Sequence, residues 1–404
     1  MRETGSGAPS RSRGARVRSA DDHLAVVLGF LRPPMPVSAA LADAVGLVSA
    51  EEVRASGPIP PFDNSAMDGF AVRVGDLPGA LDVVGESAAG HPFAGAVGPG
   101  QAARIMTGAP VPSGADTVVP QERATVKGGR VSIDVEARRG AHIRRRGEDA
   151  NAGDIVVDAG VELRPRHLAA AAAAGVATVE AWPAPRVAFL VTGDELVAPG
   201  SPLGPGQIHE SNATYLAAAL ESLGAVPVDL GVVGDSGDNV RRAVEAADAD
   251  LVVTTGGASV GEHDPVKEGL APVGVEFVKV AMQPGKPQGA GLVAGVPVIC
   301  LPGNPVAVAV CVELFVGPAV RALRGVPEPA WERVRAASEW SCPPGREQVM
   351  PVVVEADGVR PATTGGSGSH LIARLAAAEG LARVPAQVDR VAPGDIVAFR
   401  RFTA

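Results

Sequence analysis

The chain has 404 residues, of which 46% are hydrophobic and 3% aromatic, and its formal net charge is -9. This length predicts about two to four domains, each large enough to bury its own core. The acidic balance and the scarcity of aromatic residues argue against a nucleic-acid binder, because phosphate contact needs clustered Lys and Arg and single strands need stacking surfaces.

Residues 1–20 carry several arginines among Gly, Ser and Ala, and this composition predicts a disordered tail. Asp21 and Asp22 separate the positive charge from the apolar run that follows, which argues against a signal peptide. We therefore expect the folded chain to begin near residue 21.

The longest apolar stretch and the cysteines also argue against a membrane protein or a secreted protein. The apolar stretch 289–320 is interrupted by prolines, an asparagine and a glutamate, so we read it as a buried strand, a loop and a helix. Cys300, Cys311 and Cys342 are far apart and form no C-x-x-C pair. We therefore expect a reduced, cytoplasmic protein with no membrane contact.

Helical spacing of Leu, Val and Ala marks the beginning of the chain and returns after residue 160. The spacing predicts helices at 21–31, 38–55 and 165–174. We therefore predict a helical linking domain formed by residues 21–60 and 155–185.

Residues 61–154 have a different character, because short Val-rich runs alternate with Gly, Pro and Asp turns. The runs at 71–74, 117–120 and 131–135 predict strands. The pattern indicates a small β domain inserted into the helical segment.

Residues 186–326 alternate continuous apolar runs with helical segments, which is typical of βαβ units and a parallel sheet buried on both faces. The apolar runs predict strands at 187–191, 226–233, 251–255 and 296–301. Helices are predicted at 212–223, at 240–247 and after residue 305. The remainder, 327–404, returns to short alternating strands and predicts a C-terminal β domain.

Ligands of an open parallel sheet bind outside the carboxyl ends of its strands. Each predicted strand of this domain runs into a loop with Gly or a carboxylate in it. These loops are residues 192–195, 234–235, 254–264 and 301–305. We therefore expect one edge of the sheet to form the binding site.

The glycine loop 254–261 is suited to an oxyanion, because glycines let successive backbone N–H groups approach one ligand. Its spacing does not match a P-loop, and the alternative is a tight strand-to-helix turn without a ligand. In the loop 301–305, Asn304 is placed to cap a helix that begins at Pro305, whose positive end suits phosphate.

Glu195, Asp235 and Asp264 follow different strands and are candidate ligands for a hard divalent cation such as Mg²⁺. The alternative is three helix caps or solvated loop carboxylates. Lys279 and Lys286 lie between the last two predicted strands and are suited to neutralise a phosphate or another tetrahedral oxyanion. The alternative for both is an ordinary surface lysine.

Seven segments, taken in chain order, resemble the motif set of the molybdopterin molybdenumtransferases. Each segment is a weak signal alone, whereas seven in order are specific. The segments are PFDNSAMDG at 61–69, IMTGA at 105–109, RGED at 146–149, TGDEL at 192–196, GGASVG at 256–261, PGKP at 284–287 and LPGNP at 301–305.

The resemblance implies a reaction of adenylylated molybdopterin with molybdate that gives molybdenum cofactor and AMP, assisted by Mg²⁺. It also implies an α/β domain similar to the molybdopterin adenylyltransferases, an inserted β domain on a helical segment, and a C-terminal β barrel. The implied assembly is a homodimer, with transient contacts to the adenylyltransferase and to acceptor molybdoenzymes.

The resemblance also implies the residues that carry the reaction. The catalytic candidates are Asp68, Thr107, Asp149, Glu195, Asp264 and Lys279. The substrate-binding candidates are Thr255, Gly256, Gly257, Ser259, Gly261, Asp235, Lys286, Pro302, Asn304, Pro305, Arg346 and Ser369. The chain departs from the family at Gln283, where some members have a second lysine before Pro-Gly-Lys-Pro.

Two other functions remain open at this point. A molybdopterin adenylyltransferase would share the α/β domain and consume ATP with free molybdopterin, but it would not need residues 21–185. A non-enzymatic scaffold for cofactor assembly would need a groove for a partner. Molybdate-dependent formation of AMP distinguishes these functions from a molybdenumtransferase.

Overall fold

The structure is a computed structural model, and it describes residues 17–234, 236–257, 264–363, 368 and 371–402. The chain divides into two compact units. The large unit combines Met1–Val37 with Trp182–Ala404, and the small unit is Ser38–Ala181.

A seven-stranded sheet forms the centre of the large unit. Its strands are β1 (Val17–Arg18), β2 (Arg186–Thr192), β3 (Val226–Val233), β4 (Leu251–Thr255), β5 (Val275–Val280), β6 (Pro287–Val293) and β7 (Val296–Leu301). Their order is β1-β5-β6-β7-β4-β2-β3, and β6 alone runs antiparallel to its neighbours. The carboxyl ends of β2, β3, β4, β5 and β7 therefore share one edge.

Helices cover both faces of this sheet. They are α1 (Ala20–Phe30), α2 (Asn212–Ser222), α3 (Gly237–Glu245), α4 (Pro265–Leu270), α5 (Pro305–Cys311) and α6 (Gly317–Leu323). Successive residues of a strand point to opposite faces, so Phe189 of β2 packs with α2 and its neighbour Leu190 packs with α3 and α4. This burial on both faces confirms the reading of continuous apolar runs as a buried sheet.

A π-helical turn, Val312–Val316, joins α5 and α6 into one helix of 19 residues, Pro305–Leu323. This helix is long and apolar enough to cross a membrane, but 94% of the apolar stretch is buried inside the unit. We therefore assign it as a core helix of the α/β domain.

Two strands of the sheet, β5 and β6, were not predicted from the sequence. The segment Pro287–Val293 contains two glycines and a glutamine, and these residues do not favour a strand. The chain forms a strand there because β6 is paired on both sides, by β5 and by β7. As a result, Lys279 lies near the end of β5 and not in a loop.

The C-terminal part of the large unit forms a second, mixed sheet. Its strands, in spatial order, are Met282–Gln283, Glu347–Glu355, Gly380–Val384, Ile396–Arg401 and Glu332–Arg335, and Gly358–Pro361 also pairs with Glu347–Glu355. Trp340–Ser341 and Arg390–Val391 form a separate pair, and Ile372–Leu375 is a short helix. A mixed β domain is confirmed, whereas its closure into a barrel stays a prediction.

The small unit is built around a six-stranded sheet. In spatial order its strands are Thr125–Lys127, Arg130–Ile133, Gly79–Ser87, Gln101–Ile105, Gly69–Val72 and Thr117–Pro120. Helix Pro165–Ala173 and short strands such as Thr178–Trp182 complete the unit. The strands predicted from Val-rich runs are therefore present, with boundaries shifted by a residue or two.

The predicted helix at 38–55 is wrong. The chain there forms the short strands Val37–Ala40, Val48–Ser49 and Val53–Arg54. The first two flank Thr178–Trp182 in one sheet, and the third pairs with Ile155–Val157. These partners are remote in sequence, so helical spacing of apolar residues could not reveal them.

The beginning of the chain also differs from the prediction. The predicted disordered tail extended to residue 20, but β1 is ordered and pairs in parallel with β5. Helix α1 was assigned to the linking domain, whereas Val27 and Leu31 pack in the core of the α/β domain. Residues 1–16 lie outside the described residues, and the other domain limits stay predictions.

His23 on α1 makes the stability of the large unit depend on pH. Its side chain is fully buried beside Phe315, with ring centroids 5.0 Å apart. Burial, reinforced by Arg18 and opposed by Glu276, lowers the pKa of His23 from 6.5 to about 4. Because the unfolded chain takes up this proton first as pH falls, stability is complete above pH 6.5 and decreases towards pH 4.

We expect His23 to account for a loss of about 3 kcal/mol between pH 6.5 and pH 4. Urea unfolding of the wild type and of His23→Leu at both pH values measures this contribution. The variant should lose less stability than the wild type on acidification, and an equal loss in both proteins would contradict the assignment.

Candidate active site

The carboxyl ends of β2, β4 and β7 open into a cavity of about 480 Å³. Its wall combines the loops that follow these strands with the beginning of α2 and of α4. This is the edge at which the sequence predicted a site, because parallel strands present their carboxyl ends together.

Glu195 reaches this cavity from the loop after β2. Gly193 in the same loop has a φ of +147°, and a Cβ built there would lie 2.7 Å from Glu195 Oε2. The carboxylate therefore lies directly over the backbone of Gly193, and a larger residue there would displace it and strain the backbone.

The glycines after β4 lie between the end of β2 and Asp264. Gly256 and Gly257 have φ values of +84° and +61°. A Cβ on Gly256 would lie 2.5 Å from the Thr192 carbonyl oxygen, and a Cβ on Gly257 would lie 3.2 Å from Asp264 Oδ1. Glycine is therefore needed at both positions for the loop to lie against the carboxylate.

Asp264 is 3% exposed and has two roles in the structure. It lines the cavity, and its Oδ1 accepts a hydrogen bond of 3.0 Å from the Lys267 amide at the beginning of α4. Cys300 is fully buried nearby, where burial raises the pKa of its thiol to about 12 and the charge of Asp264 adds to this shift. Cys300 is therefore a neutral thiol at physiological pH.

The loop after β7 closes one side of the cavity. Pro302, Asn304 and Pro305 line the wall, and Pro305 is the first residue of α5. A Cβ on Gly303 would lie 3.2 Å from the Gly256 Cα, so the two glycine loops are in contact. The positive end of the long helix Pro305–Leu323 is thus part of the cavity wall.

Sequence reasoning missed a polar stretch of the wall, residues 209–212, in which Glu210 and Asn212 are buried. Glu210 is 6% exposed, and its Oε1 accepts the backbone N–H groups of Asn212 and Ala213 at 2.5 and 2.9 Å. This carboxylate caps α2. An acidic residue two positions before the predicted helix is a signal that could have identified the cap.

The predicted cations lie on backbone segments that are hydrogen-bonded to one another around the end of β5. Lys279 is half-buried near the carboxyl end of β5, and the Lys286 carbonyl accepts the Val280 amide at 2.7 Å. Arg346 precedes the strand Glu347–Glu355, whose first amide donates to the Ala281 carbonyl. None of these three side chains belongs to the cavity wall formed by the described residues, although Pro287 of β6 does.

Several predicted residues are not in the wall. Thr255 is fully buried behind it. Asp235, Ser259, Gly261 and Ser369 lie outside the described residues, so the predicted three-carboxylate set is represented by Glu195 and Asp264.

The carboxylates of Glu195 and Asp264 suit one common mode of magnesium binding. Within the described residues, no group of three or more His, Cys, Asp or Glu side chains is arranged to hold a metal. Mg²⁺, however, is commonly bound by one or two carboxylates together with substrate phosphates. Glu195 and Asp264 supply two hard oxygen donors to one cavity, which matches that mode.

In the small unit, Asp68 and Thr107 form a direct pair. The amide and the hydroxyl of Thr107 donate to Asp68 Oδ1 at 2.7 and 2.8 Å. These bonds, the amide first, hold the pKa of Asp68 below its usual range. Asp68 therefore presents an ionised, oriented carboxylate on the surface of the small unit.

Two other motif segments of the small unit, residues 59–65 and 143–149, contact each other. Asn64–Ser65 pairs with Ile143–Arg144. The carboxylate of Asp63 accepts the Arg146 amide at 2.8 Å and contacts Arg145 Nη1 at 2.6 Å. Asp149 is exposed, and its amide donates to the Ile59 carbonyl. The arginine run is thus partly engaged by Asp63.

Three protein-family models match the chain and together span most of its length. The MoeA N-terminal region (domain I and II) matches residues 18–175, and a probable molybdopterin binding domain matches residues 188–322. The MoeA C-terminal region (domain IV) matches residues 333–402. The predicted α/β domain, residues 186–326, therefore covers nearly the same residues as the match to the probable molybdopterin binding domain.

Similar proteins agree with these family matches. The chain is 41% identical to molybdopterin molybdenumtransferase 2 of Mycobacterium tuberculosis over 94% of this chain and 98% of the relative. It is 41% identical to the molybdopterin molybdenumtransferase of Haemophilus influenzae over 70% and 72%. A crystal structure of a molybdopterin biosynthesis MoeA protein from Pyrococcus horikoshii is 31% identical, covers 96% of this chain and 99% of its own, and superposes with a TM-score of 0.83. The chain therefore belongs to the molybdopterin molybdenumtransferase family.

Proposed function

We propose that this protein is a molybdopterin molybdenumtransferase that uses molybdate and adenylylated molybdopterin and releases molybdenum cofactor and AMP. One observation carries the proposal. Glu195, Asp264 and the glycine loops at Gly256–Gly257 and Gly303 surround a single cavity at the carboxyl edge of the α/β sheet.

The net charge of the protein makes a local site necessary. Molybdate and the phosphates of the pterin are anions, and a chain of net charge -9 repels them at long range. Within the site, the beginning of α5 and the glycine backbone offer positive dipole ends to the anions. Lys279 lies on β5, and Arg346 precedes a strand that bonds the chain just after β5; both would balance the remaining charge.

We propose that Mg²⁺ assists the reaction and that Glu195 and Asp264 hold it, with Asp235 as a further candidate. When bound, the ion would supply charge stabilisation at the phosphate of the leaving AMP. The residues of the chain orient the two substrates, so that a bimolecular encounter of dilute anions becomes a local one.

The decisive experiment is incubation of the purified protein with adenylylated molybdopterin, Mg²⁺ and molybdate. We expect release of AMP and formation of molybdenum cofactor, both dependent on molybdate. Removal of Mg²⁺ with a chelator should abolish AMP release, and added Mg²⁺ should restore it.

The same assay separates the alternatives. A non-enzymatic scaffold releases no AMP under any of these conditions. An adenylyltransferase consumes ATP when it is given free molybdopterin in place of the adenylylated form. Molybdate-independent release of AMP would contradict molybdenum insertion as the coupled reaction.

We further propose a homodimer in a reducing, cytoplasmic setting, with transient contacts to the adenylyltransferase and to acceptor molybdoenzymes. The location is supported by three buried cysteines that are all free thiols. Sedimentation of the purified protein tests the dimer.

A further inference from the structure

Asn212 lies at a point where three elements around the cavity meet. It is the first residue of α2 and is 6% exposed. Its Nδ2 donates to the Gly303 carbonyl at 2.8 Å and approaches Thr255 Oγ1 at 3.5 Å. One side chain amide therefore connects α2 to the loop after β7 and to the end of β4.

The two loops that Asn212 joins have no side chain between them. A Cβ on Gly303 would lie 3.2 Å from the Gly256 Cα, so backbone faces backbone at this contact. Glycine backbone has more conformational freedom than any other backbone. The pairing of β4 with β7 holds the two loops together up to Thr255 and Leu301. Beyond that pair, the amide of Asn212 is placed to fix the separation of the loops.

The orientation of Asn212 is itself determined. Glu210 Oε1 accepts the amides of Asn212 and Ala213, which anchors the first turn of α2. Asn212 Oδ1 is buried and accepts no hydrogen bond from the described residues. A buried acceptor without a donor costs stability, so the residue is not explained by the stability of the fold alone.

We propose that Asn212 is a positioning residue of the reaction, which sets the distance between the loop Thr255–Gly257 and the loop Gly303–Pro305 and so shapes the site for the adenylylated pterin. Asn212 acts through these loops and touches no reacting atom. The proposal deepens the proposed function and rests on it for the identity of the substrate.

The test uses the full-length protein and the variant Asn212→Asp. Aspartate has nearly the same size as asparagine but replaces the Nδ2 donor with an acceptor, which cannot bond the Gly303 carbonyl. We expect faster hydrogen exchange in peptides covering residues 251–257 and 301–305 of the free protein. In the AMP-release assay, we expect kcat/KM to fall by about tenfold or more, with most of the loss in KM for adenylylated molybdopterin.

The control variant is Asn239→Asp, which makes the same change in the first turn of α3, where Asn239 is exposed and bonds Arg242. It should alter neither the exchange of the two loops nor kcat/KM. If Asn212→Asp fails to fold, Asn212→Ala removes the same donor without adding a charge beside Glu210.

Each result separates the possible explanations. Unchanged exchange in both loops would overturn the positioning role. A lower melting temperature with unchanged kcat/KM of the folded protein would also overturn it, because that is the result of a purely structural role. If the wild type releases no AMP, the proposed function fails, while hydrogen exchange still decides whether Asn212 holds the loops.

Discussion

Replacement of Asp264 by asparagine should lower molybdate-dependent AMP release by about 100-fold or more while the protein stays folded. The expected loss is large because the variant removes one of the two proposed magnesium-binding carboxylates that line the cavity. In the proposed reaction this carboxylate helps to hold Mg²⁺ against the phosphates of the substrate. Rates measured at saturating molybdate and adenylylated pterin give the effect.

The structure explains why Asp264→Asn should fold. Asp264 caps α4 through the bond from the Lys267 amide to its Oδ1, and asparagine is as effective as aspartate in this role. The variant should therefore have a melting temperature close to that of the wild type.

Asp238→Asn is the matched control for the loss of a carboxylate. Asp238 lies in the first turn of α3 and is exposed, where it contacts Arg241 at 3.2 Å. We expect this variant to retain the wild-type rate. Wild-type AMP release by Asp264→Asn would remove Asp264 from the mechanism.

The second large effect is expected for Asp68→Asn in the small unit. Asparagine Oδ1 can still accept both bonds from Thr107, so the geometry is kept while the negative charge is lost. If the ionised carboxylate serves the reaction, AMP release should fall by about 100-fold. The assay is the same as for Asp264→Asn, and circular dichroism checks that the variant is folded.

The lowered pKa of Asp68 adds a prediction about acid pH. Because the Thr107 bonds favour the ionised form, Asp68 keeps its charge to a lower pH than an ordinary aspartate. If the wild-type rate of AMP release falls at mildly acidic pH, protonation of Asp68 should therefore not be the cause.

Asp82→Asn is the control in the same unit, since Asp82 is exposed and paired with Arg130. Surface pairs of this kind contribute little to stability. The control should behave as the wild type, and equal rates for Asp68→Asn and Asp82→Asn would exclude a role for Asp68.

The parallel part of the fold could be predicted from the sequence because its signal is local. Strands β2, β4 and β7 are continuous apolar runs, and burial of the sheet on both faces produces such runs. The hairpin of β5 and β6 could not be predicted in this way, because Gly289 and Gly291 are tolerated only through pairing with neighbouring strands.

The same distinction applies to the site. Glu195 and Asp264 lie in the connections that follow β2 and β4, so the topology of a parallel sheet is sufficient to bring them to one edge. Asn212 joins the cavity wall through a hydrogen bond to backbone that is distant in sequence, the Gly303 carbonyl. Such contacts follow from the packed structure and leave little trace in the local pattern of residues.

The position of β1 has a consequence for how the protein is made. β1 and α1 are synthesised before the rest of the α/β sheet, yet β1 has no partner until β5, more than half the chain later, has emerged. Long-range pairing of this kind is slow because a large loop must close first. β1 therefore leaves the ribosome well before it can be incorporated into the sheet, and it then covers a strand edge that would otherwise be open to other chains.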